Sequence, residues 1–99
     1  MRVALFAGLV CSIAAAALAQ DQAAIEAGEN LYDEHCASCH GEKLRSAGVI
    51  PDLREFGAND RAKFDRAVLD GRGQMPAWQG VMSPEEIDQL WAYVRSRAR

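Results

Sequence analysis

A chain of 99 residues, 49% hydrophobic with a net charge of −3, has room for one domain and lacks the basic excess that nucleic-acid binding calls for. After Cys39 and His40 no further Cys or His occurs, so a zinc site of the common pattern has no second ligand pair.

The opening stretch reads as something other than domain. Met1-Arg2 makes a short positive start, Val3 to Leu18 is almost uninterruptedly apolar, and Ala17-Leu18-Ala19 is a small-residue cleavage signal before Gln20 and Asp21. Residues 1–19 are therefore expected to be a secretory signal and 20–99 the folded domain. An uncleaved anchor is the rival, but the apolar run is shorter than the roughly 20 residues that a spanning helix needs and has no basic flank after it. Cys11 has Val10 before it, not the small residue a lipoprotein site would have, and is expected to leave with the signal.

A first helix is predicted from Gln22 or Ala23 to Glu34, capped by Asp21, with an apolar stripe of Ala24, Ile25, Gly28, Leu31 and Tyr32. Glycine inside a helix costs up to about 1 kcal/mol relative to alanine, so Gly28 suggests the close approach of another element.

Cys36-Ala37-Ser38-Cys39-His40 follows, a complete Cys-x-x-Cys-His, which reads as an attachment site for c-type haem. Two thiols three residues apart reach the two vinyl groups of one porphyrin, and the histidine after the second supplies an axial nitrogen. With Cys11 discarded, these are the domain's two cysteines, and in an oxidising compartment thioether formation consumes both. A thioredoxin-like site would need a βαβ framework, and no run here reads as a strand. His35 is expected to face solvent, as are the mixed charges Glu34, Glu42, Lys43 and Arg45.

Gly41 to Gly57 reads as loop. Within it Pro51 has a free carbonyl that could accept from the second ring nitrogen of His40, Leu53 would pack on the haem face, and Arg54 could pair with a propionate or simply lie at the surface. A short helix capped by Asn59 or Asp60 presents Phe64, Ala67 and Val68 and ends near Gly71. In the Gly/Pro-rich loop Gly71 to Trp78, Met75 stands where no helical stripe explains it. Iron coordination does, with Met82 the competitor for that role and Trp78 a pocket wall. Ser83-Pro84-Glu85-Glu86 is a capping box with proline at the first helical position. It opens a last helix with Ile87, Leu90, Trp91 and Val94 on one face and Arg95, Arg97 and Arg99 at its negative end. Its expected partner is the first helix, at Gly28.

On these residues the chain resembles a class I c-type cytochrome. Gly28-x-x-x-Tyr32, Cys36-Ala37-Ser38-Cys39-His40-Gly41, Pro51-Asp52-Leu53, Met75-Pro76 and Leu90-x-x-Tyr93 carry the likeness. The resemblance implies a small all-α fold with crossed N- and C-terminal helices around one covalent haem c. It also implies Cys36 and Cys39 as thioether attachments, His40 and Met75 as axial ligands, and Pro51 as the residue orienting His40. Pro51-Asp52-Leu53-Arg54, Val68-Leu69-x-Gly71 and Gly73-x-Met75-Pro76-Ala77-Trp78 are similar to the haem domains associated with quinoprotein alcohol dehydrogenases.

The function expected is one-electron transfer in the periplasm, by a monomer rather than an enzyme. The partners implied are a pyrroloquinoline quinone dehydrogenase as donor and a respiratory oxidase as acceptor, with no membrane span once the signal is removed. Two alternatives are a haem subunit docked in a larger dehydrogenase or oxidase, and a ligand-binding or catalytic haem with a labile sixth ligand. No spare distal His and no acid/base pair accompany Met75, which disfavours catalysis.

Overall fold

The computed structural model describes residues 2–46, 48, 50–56 and 59–99, with side chains from Ile13 onward. The elements are α1 (Arg2–His35), α2 (Ala37–His40), α3 (Arg61–Asp70) and α4 (Pro84–Ser96), with 3₁₀ turns at Glu42–Leu44 and Leu53–Phe56. Among the described residues there is no strand, only the isolated bridges Arg72–Met75 and Gln79–Met82. The expected all-α architecture is thus observed.

Helix α1 differs from expectation at its start. It does not begin at Gln22 but runs unbroken from Arg2, with Asp21 inside it rather than at its cap. The alanines from 14 to 19 are the best helix formers available and nothing between them and Gln22 breaks the helix, so helix formation propagates through the junction. That extension packs on nothing, for residues 13 to 23 are all exposed. Among the described residues no helix is long and apolar enough to cross a membrane. Much of the expected signal, including Cys11, has its side chains outside the described residues.

The principal helix contact is α1 against α4. Gly28 is buried where they cross, and a β-carbon there would overlap the Gln89 carbonyl oxygen and lie 2.9 Å from Tyr93 Cβ. One turn on, Tyr32 and Tyr93 pack with ring centroids 5.5 Å apart. Glycine at 28 is thus what lets the two backbones approach. The core gathers Tyr32, Phe64, Val68, Met82, Ile87, Leu90, Trp91, Tyr93 and Val94, together with Leu44, which is fully buried although its neighbours are loop. The Tyr32 hydroxyl donates to the Gly41 carbonyl at 2.5 Å, anchoring the chain just beyond Cys36–His40 onto α1.

The predicted caps form. Asp60 accepts from Lys63 N–H at 3.4 Å. Ser83 and Glu86 exchange both capping-box bonds, at 3.1 and 2.9 Å. Arg61 joins α3 to α4, reaching Asp65 and Asp88 at 2.7 Å each. The loop after α3 is stitched back by its backbone. Arg72 and Met75 pair through two N–H···O bonds of 3.1 and 3.0 Å, Trp78 N–H donates to Val68 O at 2.8 Å, and Gln79 N–H to Leu69 O at 3.4 Å. Gly71 makes this possible, because its φ of +77° turns the chain and a β-carbon there would stand 2.7 Å from Met75 O.

Candidate haem site

Three elements deliver the chemistry-bearing residues to one place. The end of α1 and the single turn of α2 present Cys36 and His40, α3 and α4 form a wall of Phe64, Ala67, Val68, Leu90 and Val94, and the loop after α3 brings in Met75. Leu53 and Phe56 close the remaining side. The exposed lining of this crevice is entirely apolar. Among the described residues, Cys36, His40 and Met75 are its only side chains with atoms able to attach or ligate a metal macrocycle, apart from the Tyr32 hydroxyl, which is already engaged at Gly41.

Burial sets the protonation of these groups. Desolvation holds His40 below the usual imidazole range, so the ring is neutral near neutral pH, the form with a free lone pair. The same cause, reinforced by the nearby Cys39, pushes the Cys36 thiol up to about 11. His40 Nδ1 is buried and has no hydrogen-bond partner. Both cysteines are free, Cys36 half-buried and Cys39 exposed on the outer side of α2. Free paired thiols, a neutral imidazole, a thioether sulfur and apolar walls are a donor set that fits a haem.

The other expected residues lie differently. Pro51 is exposed, and its carbonyl does not accept the hydrogen bond expected from His40 in this arrangement. The guanidinium of Arg54 is engaged by Asp52, at 2.6 Å and 3.0 Å, rather than turned to the crevice. Trp78 is half-buried against the core and packs at a tilt against His35, centroids 5.1 Å apart and planes at 57°, so one side of His35 is covered while the rest stays open to solvent, as expected. Met82, the competitor to Met75, is buried in the core and does not line the crevice. Phe56 and Leu44 escaped the sequence reading. Both stand in a stretch whose Gly, Pro and charged residues mask any periodicity, and a single apolar residue beside charges, Lys43 and Arg45 for one and Glu55 for the other, was the only signal.

Residues 23–94 match the family described as cytochrome c oxidase, cbb3-type, subunit III. The chain is 40% identical over 84 residues to quinohemoprotein alcohol dehydrogenase ADH-IIG of Pseudomonas putida, an alignment covering 83% of this chain but 12% of that protein. It is 35% identical over 85 residues to cytochrome c550 of Pseudomonas aeruginosa, covering 79% of this chain and 59% of that one. With cytochrome c6 of Anabaena variabilis it shares 36% identity over 76 residues, covering 72% of this chain and 88% of the relative. No solved structure matches the chain significantly. A family match over most of the chain and a near full-length alignment to a small cytochrome agree with the crevice chemistry: the chain belongs to the c-type cytochromes, in the family described as cbb3-type subunit III, whose members carry covalent haem c and move electrons through it.

Proposed function

We propose that the chain is an exported one-electron carrier in which Cys36 and Cys39 hold the haem through two thioethers and His40 and Met75 are its axial ligands. What carries this reading is the convergence of Cys36, His40 and Met75 on one apolar crevice, Met75 arriving from a loop remote in sequence. When bound, haem c supplies reversible one-electron exchange at iron. The polypeptide does the rest. Burial keeps His40 unprotonated, Leu53, Phe56, Phe64 and Val94 exclude water, and the hydrogen-bonded loop holds the Met75 sulfur in reach. With Met75 and His40 holding it, the neutral thioether sulfur would favour the reduced state and raise the potential, which suits a carrier.

Pro51 as the orienter of His40, Trp78 as a pocket wall and Arg54 as a propionate partner belong to the same reading. Arg54 would have to exchange Asp52 for the propionate, and the Pro51 carbonyl would have to move onto the orphan Nδ1. The similarity to quinohemoprotein alcohol dehydrogenase ADH-IIG supports a quinoprotein dehydrogenase as donor, and the family match supports a cbb3-type oxidase as acceptor, in the periplasm. Contacts with such partners are expected to bury under about 1,200 Å², so that exchange stays fast.

The test is the absorption spectrum, oxidised and reduced, of protein matured in a periplasm, for wild type and Met75→Ala. Covalent haem with a sulfur-to-iron band in the far red that disappears in the variant is the expected result. A band that survives transfers the ligand role to Met82, and no band in the wild type turns the reading to a ligand-binding haem.

A further inference from the structure

Besides the haem crevice, the α1–α4 pair borders a second, polar cavity of about 610 Å³. The two share no lining residue: Tyr93 of α4 faces this cavity, while Leu90 and Val94 face the crevice. Its charged walls are Arg45, Arg54, Arg97 and Arg99 against Glu26 and Glu29. Arg54 and Arg99 are engaged by Asp52 and Glu55. The other two arginines are under-used. Arg97 reaches Glu29 only at 3.9 Å, and among the described residues Arg45 has no carboxylate partner.

A second observation points the same way. Tyr93 is 1% exposed, yet its hydroxyl has no hydrogen-bond partner. The Arg97 guanidinium stands over the ring, 5.6 Å from its centroid, and no N–H of it meets hydrogen-bond geometry on the hydroxyl. A buried donor left unmade costs free energy, and arginine forks match tetrahedral oxyanions. An anion here would take the Tyr93 O–H and N–H groups from Arg45 and Arg97 together.

We infer that this cavity is a binding site for a phosphate group, held by Arg45, Arg97 and the Tyr93 hydroxyl. The site is separate from the crevice and does not depend on how the iron is ligated. The probe is inorganic phosphate, titrated into ferrous holoprotein at constant ionic strength and followed by amide and tyrosine resonances, with chloride as control. The expected result is a saturable response centred on Tyr93 and Arg97 that chloride does not reproduce. Arg45→Gln and Arg97→Gln should each weaken it by about tenfold, the worth of one charge-assisted hydrogen bond. Tyr93→Phe should weaken it while leaving the phosphate-free fold at least as stable, because the hydroxyl it deletes has no partner. If Arg97→Gln fails to fold, exposed Arg45 carries the test. Sedimentation with phosphatidylglycerol vesicles that is lost in Arg45→Gln and displaced by phosphate identifies the source as a lipid headgroup. A response that chloride matches, or that both Arg45→Gln and Tyr93→Phe leave unchanged, overturns the site.

Discussion

Asp52 and Arg54 grip each other across a single residue, through two side-chain contacts and a bond from Arg54 N–H to Asp52 Oδ1 at 2.9 Å. These bonds favour the ionised carboxylate and hold Asp52 down to about 2 from its ordinary 3.8. A group depressed in the fold stabilises it above the unfolded value and loses that contribution as pH falls toward the folded one. Asp52→Asn should therefore lower the urea midpoint at neutral pH, with the difference from wild type fading between about pH 4 and pH 2. Ser83 is a second residue whose worth is local. It accepts from Glu86 N–H at the start of α4, and Ser83→Ala should cost about 1 kcal/mol in chemical denaturation, as loss of an N-cap does elsewhere.

The α1–α4 crossing puts two opposed effects on one atom. Gly28→Ala gains up to about 1 kcal/mol in helix propensity. Against it, the new methyl meets the Gln89 carbonyl, which is backbone and cannot swing aside, and forced separation of packed elements costs about 1–3 kcal/mol. The clash prevails, so the variant should unfold at lower denaturant, with Gly28→Ser no better. That crossing was legible in the sequence because a glycine on an otherwise apolar helical stripe has few reasons to be there. The cap of α4 and the place of Met75 beside the crevice were legible on similar grounds, each residue type being ill-suited to any bland role at its position. Elsewhere local chemistry was not enough. The start of α1 was missed because alanine propensity carries the helix past a polar junction, and Leu44 and Phe56 because burial inside an irregular loop leaves no period. The grip of Asp52 on Arg54 was not read from the sequence, because an aspartate two residues back marks no helical or strand periodicity.

As a whole the domain rests on little. Among the described residues its core is one cluster of ten buried side chains, and residues 13–23 add none to it. A core of this size supplies only about 3–5 kcal/mol. A covalently held macrocycle in the crevice would add apolar surface that the chain lacks. The Cys36→Ala, Cys39→Ala variant is therefore expected to lose most of its tertiary signal and much of the helicity beyond α1, read by near- and far-ultraviolet circular dichroism; native spectra from it would show that the polypeptide folds unaided. The loop after α3 bears on kinetics rather than stability. Its backbone is laced to Arg72, Val68 and Leu69, so with Met75 as the proposed ligand the sulfur would hang from the bonded base of a closed turn, Arg72 to Met75, and not from a free loop. Removing it from the iron means breaking a ladder of peptide hydrogen bonds. Carbon monoxide should thus bind the ferrous protein at a rate that levels off at high gas concentration, the plateau measuring how often that turn opens.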